Sequence, residues 1–520
     1  MSAARSVPRA PLRRARALAG CIPWLAGRIA SLAGRIRWLA RQHPHLAGVL
    51  VAGLGLRVLI EIAYRPALVF PDTIYYIHYA THPFQPGPIR TTLYSDLIAP
   101  AIPLRQLWLI PVAQHLLSLA TGVLGYAVLV RFGCRKWLAA LAAVPLVLDP
   151  LELILEHYIL SDTLSMTLIL AVLAVLTWRG RHLTRRDAVW TGLLLAVSVL
   201  ARVQTAVLVV PIAAYLMVIV RPWRLMWRRA GAMTCALIVP LFAWMFWFHL
   251  THGPWALSDN GPRWLYGRVA QFADCTGMAL PSYERPLCPT QPVSQRYQDF
   301  YMWDHDSPQW RYHAPPGMKP GTVAGEFALR VIAHQPLTYA RTVGVDYVYG
   351  FAPVRHTGPD RYPENYLQLQ ESFPVYSWRD TGRVLWTHGH THAEVQFESA
   401  RILRYYGDIY TTGPLVAVSI VIALAAAAGI GPARRSRMRS VCLLFGLTAL
   451  LVTVPDAALS TFDWRYQLPQ IVLSPLAGGL GLAALIPRAR TAMVIRGGAP
   501  GSAQASKAAE ANRDVVSVAD

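Results

Sequence analysis

At 520 residues the chain is long enough for a large soluble protein, but 54% of its residues are hydrophobic and only 15% are charged. The formal net charge is +21. The arginines do not follow one face or one helix as they do in a nucleic-acid-binding protein, so we exclude nucleic acid as a partner. The apolar residues form runs that approach the length of about 20 residues that a membrane-spanning helix needs.

The first segment, residues 1–45, is basic and has arginines interleaved with apolar residues at 29–39. It lacks a small-residue cleavage site after an apolar core, which a secretory signal would carry. We therefore predict a cytoplasmic segment that lies on the membrane surface.

The apolar runs predict an all-α polytopic membrane protein with about ten transmembrane helices. The predicted spans are 46–64, 107–130, 137–151, 163–178, a hairpin over 188–220, 231–250, 409–430, 441–455 and 468–487. Clusters of basic residues follow several runs, at 131–136, 179–186, 221–229 and 434–439. Because short cytoplasmic loops are rich in arginine and lysine, both termini are expected on the cytoplasmic side of the plasma membrane.

The run at 188–220 is long for one helix, and it carries Arg202 and Gln204 in its middle. A guanidinium at the centre of a single span would cost about 2.5 to 3.5 kcal/mol on insertion scales. A hairpin with Arg202 at its outer tip avoids this cost.

The chain then divides around an extracytoplasmic domain. Residues 46–250 form the first transmembrane core, 251–408 the outer domain inserted before the last three spans, 409–490 the final helices, and 491–520 a disordered cytoplasmic tail. Cys275 and Cys288 both fall in the outer domain, where an oxidising compartment favours a disulfide. Two free thiols are the alternative.

The first outer segment begins at Pro71 and Asp72, directly after a predicted span, and continues to Tyr76. Proline followed by an acidic residue is typical of a helix start, so Asp72 could be a cap. A carboxylate at the membrane boundary is also suited to catalysis, and the two interpretations share one geometry.

Two further outer segments carry charge beside apolar runs. The second contains Glu152, Glu156, His157 and Asp162, and carboxylates in so apolar a connection are expected to face water, a partner or a site. Asp162 could instead cap the next helix. The third contains Arg465, which could bind a phosphate through its planar fork or anchor the helix at the interface.

These three segments resemble the GT-C glycosyltransferases, in particular the bacterial branch with the aminoarabinose, protein O-mannosyl and rhizobial galacturonosyl transferases. The resemblance covers about 46–250 and 455–487 and is carried by Asp72 after the first span, by the His-Tyr-Ile-Leu-Ser-Asp segment at 157–162 and by Arg465-Tyr466-x-x-Pro. Thr73 follows Asp72, so the Asp-Glu doublet of the protein mannosyl branch is missing and protein mannosylation is disfavoured.

The resemblance implies a GT-C-like fold and transfer of a sugar from a polyprenyl-phosphate donor to an acceptor in the cell envelope, which could be a glycan, a lipid or a protein. Asp72 would act as the base, with Asp162 and Glu156 as further catalytic candidates. Arg202 and Arg465 would lie near the carrier phosphate. The other candidate substrate-binding residues are Tyr76, His157, Gln204 and Tyr466.

No cofactor is specified by the sequence, but a divalent metal is compatible with it. The histidines 388, 390 and 392 could bind a metal, although such a loop is more often simply exposed. Arg57 and Glu61, one turn apart in the first span, are expected to pair or to line a cavity. A transporter or lipid flippase, and a noncatalytic envelope-assembly protein, are the alternative functions.

Overall fold

A computed structural model describes residues 37–486 together with 31 and 34, apart from 221, 358–361 and 363. The expected interfacial segment at 1–45 lies mostly outside the described residues, and the expected tail at 491–520 lies wholly outside them. The described chain is mostly helical, and residues 37–485 of it belong to one compact unit.

The helices of the first half are α1 (Pro44–Ala63), α2 (Pro71–Thr81), α3 (Leu93–Ile98), α4 (Leu109–Arg131), α5 (Lys136–Leu148), α6 (Pro150–His157), α7 (Asp162–Trp178), α8 (Arg185–Ala201), α9 (Val209–Ile219) and α10 (Trp223–His252). The second half continues with α11 (Gly261–Ala270), α12 (Gln298–Trp303), α13 (Pro308–Arg311), α14 (Pro320–His334), α15 (Pro336–Tyr349), α16 (Trp378–Gly389), α17 (Phe397–Tyr406), α18 (Gly413–Ala428), α19 (Arg439–Leu451), α20 (Val454–Leu459) and α21 (Leu468–Leu485). Short 3-10 helices lie at Ala99–Ala101, Gly180–His182, Val203–Leu208, Arg285–Leu287, Val293–Gln295, Asn365–Leu367, Gly431–Arg435 and Trp464–Gln467.

Five helical stretches among the described residues are long and apolar enough to cross a membrane. They are Pro44–Ala63, Leu109–Arg131, Trp223–His252, Arg439–Leu459 and Trp464–Leu485. Helices α5 and α6 form a sixth if their bent pair is taken as one span. Three shorter apolar helices lie at Asp162–Trp178, Val203–Ile219 and Gly413–Ala428. The chain is thus a helical protein with several helices suited to a membrane, and fewer of them reach full spanning length than the ten expected.

The bend between α5 and α6 arises from a short sequence signal. Pro150 disfavours helical backbone at Asp149, which is extended with ψ 132°. The Asp149 side chain then caps α6, because its Oδ1 accepts a hydrogen bond of 2.9 Å from the Leu151 amide. The axis turns by 44°, so the predicted span 137–151 ends earlier and a separate short helix follows.

The predicted run at 188–220 is broken at Arg202, which has extended backbone between α8 and the 3-10 helix Val203–Leu208. The two halves pack on different partners, α8 mainly against α10 and α9 against α19. Gly192 permits the first of these contacts, since a Cβ at this position would lie 2.2 Å from the carbonyl oxygen of Met233. The break therefore leaves the Arg202 side chain at a helix end.

The helices from the two ends of the chain form a common core. Helix α5 packs against α1, α4 and α21, while α21 packs against α18 and α19. Strands β1 (Tyr64–Arg65) and β2 (Glu394–Val395) pair antiparallel and tie the end of α1 to the segment before α17. This arrangement brings residues from distant parts of the sequence together at the ends of the apolar helices.

The segment 251–408 is mainly short helices and contains a small hydrophobic core of its own, around Tyr266, Phe327 and Val331. Cys275 and Cys288, which flank this core, are joined by a disulfide. The buried Arg268 connects the segment to the rest of the chain, since it donates to the carbonyl of Ala457 at 2.9 Å while Asp346 of the same segment holds it at 2.7 Å.

Candidate functional site: a cavity lined by arginines and aspartates

A cavity of about 890 Å³ lies among the three predicted outer segments and the segment 251–408. Its walls come from α2, from the break at Arg202, from the beginning of α11 and from residues 455–466. Arg90, Arg202 and Arg465 and the acidic residues Asp72 and Asp456 contribute to its polar part.

The start of α2 places Asp72 in this cavity. Pro71 occupies the first helical position, and the Thr73 hydroxyl accepts a hydrogen bond of 3.0 Å from the Phe70 amide. The same hydroxyl donates to the carbonyl of Ile159 at 3.0 Å, which holds α2 against the segment before α7. Thr73 therefore makes the side-chain contact at the start of α2. Asp72 is engaged elsewhere, because both of its carboxylate oxygens bond to arginines.

Arg465 is shared by two carboxylates. Its Nη1 donates to Oδ2 of Asp72 at 2.8 Å, and its Nη2 donates to Oδ2 of Asp162 at 2.6 Å. Arg90 approaches Asp72 from the other side, with Nη1 at 2.9 Å from Oδ2. A guanidinium presents its donors as a rigid planar fork, so Arg465 fixes the two carboxylates relative to one another.

Arg202 is the third cation of the group. Its Nη1 donates to Oδ1 of Asp162, and its Nη2 lies 3.9 Å from Oδ1 of Asp456. Its guanidinium carbon is 5.8 Å from the ring centre of Tyr466. The side chains of Arg202 and Asp72 are each 13% exposed, whereas that of Asp162 is 2% exposed. Asp162 is thus buried behind the arginines and holds them in position through its hydrogen bonds.

The two arginines beside Asp72 determine its protonation. Burial by itself would raise the pKa of Asp72, but the charges of Arg90 and Arg465 outweigh it, and the pKa lies below its usual value. Asp72 is therefore ionised at neutral pH, and it is a weak base while both arginines hold it. If another anion took the arginines, the pKa of Asp72 would rise.

Two other carboxyl groups at the cavity have the opposite shift. Burial raises the pKa of Asp463 to about 6, and its Oδ2 accepts a hydrogen bond from Tyr366 at 2.9 Å. Burial also raises the pKa of Asp299, whose Oδ1 accepts a hydrogen bond from Tyr362 at 2.5 Å. The cavity thus combines a carboxylate kept ionised with carboxyl groups that protonate more readily.

The structure brings most of the predicted site residues to this cavity. Those that line it are Asp72, Tyr76, Arg202, Gln204, Arg465 and Tyr466. Asp162 contacts the group through Arg202 and Arg465. Tyr76 also bonds through its hydroxyl to Ser161, at 2.9 Å.

Glu156 and His157 do not line the cavity. Helix α6 turns both side chains into the protein, where each is fully buried. Glu156 accepts hydrogen bonds from Arg57, at 2.9 Å from its Nε, and the Nε2 of His157 lies 2.6 Å from the carbonyl oxygen of Tyr64. Their proximity in sequence to Asp162 was misleading, because α6 is a separate helix with another orientation.

The expected pairing of Arg57 with Glu61 is corrected in the same region. The guanidinium of Arg57 forms a fork-like pair with Glu156, and its Nη1 donates to the carbonyl of Val147 at 2.8 Å. A partner one turn away on the same helix cannot satisfy as many donors as these groups on α5 and α6. Glu61 instead lies beside two histidines.

Arg90 and Asp456 are members of the charged group that the sequence analysis did not single out. Arg90 lies in a proline-rich stretch without helical or strand periodicity, where position in space cannot be inferred. One signal was present, since Arg90 is the sole basic residue apart from histidine between Asp72 and Asp96.

The histidine rings of the loop at 388–392 do not point to one common position. His390 bonds to Arg105, and His392 stacks on Trp386 with ring centres 5.2 Å apart. These contacts use the two rings in separate interactions, and among the described residues the histidines of this loop do not form a group with converging ligand atoms.

Comparison with models of protein families, with curated proteins and with solved structures found no match to this chain. A function therefore has to be argued from the cavity and its chemistry.

Proposed function

We propose that the chain is a membrane glycosyltransferase that moves a sugar from a polyprenyl-phosphate carrier to an extracytoplasmic hydroxyl group. The observation that carries this proposal is the cavity in which Arg90 and Arg465 hold the carboxylate of Asp72, with Arg202 beside them on Asp162. The resemblance of the three outer segments to GT-C glycosyltransferases agrees with it. The acceptor would be a glycan, lipid or protein of the cell envelope.

A lipid phosphate suits both parts of the cavity. Arginines bind phosphate oxygens through two parallel hydrogen bonds. Apolar side chains line the rest of the cavity wall, among them Ile74, Val203 and Val207. The first isoprene units of the carrier would bind against them. Arg465 is 4.9 Å from the ring centre of Phe70, so aromatic contact also holds it in place.

Donor binding would also prepare the base. A phosphate that bonds to Arg90 and Arg465 draws positive charge away from Asp72, which makes this carboxylate a better acceptor for the proton of the acceptor hydroxyl. The same arginines then stabilise the negative charge that develops on the departing phosphate. Asp162 would be a positioning residue that orients Arg202 and Arg465.

We propose further that all ten predicted segments cross the plasma membrane, with both termini in the cytoplasm. A neighbouring 3-10 helix can lengthen a short helix. The 3-10 helix Val203–Leu208, for example, directly precedes α9 and extends it. The basic clusters at one set of helix ends support this orientation. A divalent metal is not required by this chemistry, although the proposal permits one.

A transporter would hold its substrate near the middle of the membrane, at helices interrupted there. The charged group here lies at the ends of helices, beside the segment 251–408 that carries the disulfide. This position favours transfer at the outer surface over transport, and over a purely structural role in envelope assembly.

The test is incubation of the purified full-length protein, in lipid nanodiscs, with labelled polyprenyl-phosphate sugars and an envelope extract as acceptor. We expect label to leave the carrier and appear in the acceptor, whereas water-soluble nucleotide sugars are not used. Movement of the intact labelled lipid across proteoliposomes, without cleavage of the sugar, would instead identify a flippase.

A further inference from the structure

A second group of titratable side chains lies outside the cavity, where α1, α4 and α6 meet. Oε1 of Glu61 is 3.5 Å from Nε2 of His115 and 3.8 Å from Nδ1 of His157. These two ring nitrogens are 3.4 Å apart. Among the described residues, none donates a hydrogen bond to Oε1 of Glu61, although this atom is buried. Three helices thus direct one ligand atom each to a common point.

Each histidine makes a hydrogen bond through the ring nitrogen that faces away from Glu61, and this bond assigns its tautomer. Nε2 of His157 lies 2.6 Å from the carbonyl oxygen of Tyr64, which only accepts, so Nε2 carries the hydrogen. Nδ1 of His115 lies 2.7 Å from Oε2 of Glu156, an oxygen that also accepts a hydrogen bond from Nε of Arg57, so Nδ1 of His115 carries the hydrogen. The other nitrogen of each ring therefore presents a lone pair to the common point.

We propose that Glu61, His115 and His157 bind one divalent transition-metal ion of the Zn²⁺ class. Two imidazole nitrogens and one carboxylate oxygen are a ligand set that zinc uses when it keeps a fourth position open. Tetrahedral bonds of about 2.0 to 2.1 Å separate ligand atoms by roughly 3.4 Å, and the distances found here are 3.4, 3.5 and 3.8 Å.

The surroundings of the histidines support a metal more than a simple buried cluster. Histidines that bind metals usually donate their second N–H to a carboxylate or to a backbone carbonyl. Here His115 faces the carboxylate of Glu156, and His157 faces the carbonyl of Tyr64. Both kinds of outer partner are present at one site.

The ion would brace the segment that leads to the cavity. Helix α6 ends at His157, and the chain reaches Asp162 within five residues. A metal that holds α6 against α1 and α4 would therefore fix the carboxylate that orients Arg202 and Arg465. The site itself does not depend on the proposed function, because its test uses the metal alone.

The experiment is a titration of the chelator-treated, full-length protein in detergent with Co²⁺, followed by displacement with Zn²⁺. We expect visible absorption that saturates at one Co²⁺ per chain and disappears when Zn²⁺ is added, together with a higher melting temperature in Zn²⁺. A wild-type protein that is folded and gives no saturable absorption would overturn the proposal, since the three side chains would then form a buried polar cluster without a metal.

The variants locate the site. His115→Gln and Glu61→Gln should each lose the absorption and the Zn²⁺-dependent rise in melting temperature. His388→Gln, in the histidine-rich loop, is the matched control and should keep both. If His388→Gln abolishes the absorption while His115→Gln and Glu61→Gln retain it, the metal binds in the loop and the assignment is wrong.

Discussion

At the scale of single residues, Asp72 is the group on which the proposed reaction depends. Its carboxylate is held between Arg90 and Arg465 and faces the cavity. Asp72→Asn keeps the size of the side chain and removes the base, so we expect transfer to fall about 100- to 10,000-fold. The rate should be measured on protein that elutes as a single species and still binds the lipid donor.

Asp408→Asn provides the control for this change, because Asp408 is exposed, pairs with Arg404 and does not line the cavity. It should leave the rate unchanged. A normal rate for Asp72→Asn would mean that this carboxylate only organises the arginines, and that the base lies elsewhere in the cavity.

Arg465 offers a second test at this scale, because its nitrogens contact Asp72 and Asp162 at the same time. Lysine keeps the charge but loses the planar fork. Loss of one charge-assisted hydrogen bond costs about 1.5 to 3 kcal/mol, so Arg465→Lys should weaken donor binding by roughly ten- to a hundredfold. The affinity for polyprenyl phosphate can be measured by thermal shift.

The exposed Arg404 is a matched site for the same substitution. Arg404→Lys should bind the lipid phosphate as the unaltered protein does. Equal affinities for Arg465→Lys and Arg404→Lys would assign Arg465 the role of an interfacial anchor.

At the scale of helices, the contact between α8 and α10 depends on Gly192. A methyl group there would meet the carbonyl of Met233 at 2.2 Å, and backbone cannot move aside as a flexible side chain can. We expect Gly192→Ala to destabilise the protein by about 1 to 3 kcal/mol, seen as a lower melting temperature in detergent.

Gly231, in α10 itself, has open space where its Cβ would lie. Gly231→Ala should leave the melting temperature unchanged or raise it, since alanine favours a helix by about 1 kcal/mol over glycine. A similar loss of stability in both variants would show that the close approach at Gly192 is not the cause.

Sequence patterns predicted helices well where the signal was local. Apolar runs indicated α1, α4 and α10, and the charge of Arg202 indicated a break that the structure has at this residue. The span predicted at 137–151 ends close to the turn at Pro150, but the helix Pro150–His157 after it was missed, because its charged residues were interpreted as an outer segment.

The site was harder to predict because its residues are brought together by helix packing. Asp72 and Arg465 were recognisable, since each lies next to an apolar run. Arg90 was not, because a loop without periodicity carries no information on direction. Glu156 was misassigned for a related reason: an acidic residue beside a span can face inward as well as outward, and its partner Arg57 is 99 residues away.

At the scale of the whole molecule, the orientation in the membrane decides which side the cavity faces. Cys275 and Cys288 are partly exposed in the disulfide, so an impermeant thiol reagent should label them on intact cells after reduction. Arg437→Cys places a thiol in the exposed loop between α18 and α19. This thiol should react only after the cells are opened, and the reverse pattern would invert the proposed topology.

The bridge made by Arg465 has a consequence for how the protein is synthesised. Asp72 precedes Arg465 by 393 residues and Asp162 precedes it by 303 residues, so both acidic side chains leave the ribosome long before their common cation does. A nascent chain that stops short of residue 465 leaves Asp72 to Arg90 and Asp162 to Arg202, so each carboxylate has a partner but no cation links the two. The contact that joins the start of α2 to the start of α7 through Arg465 is therefore made only late in synthesis, and a truncated chain lacks it even when both helices are present.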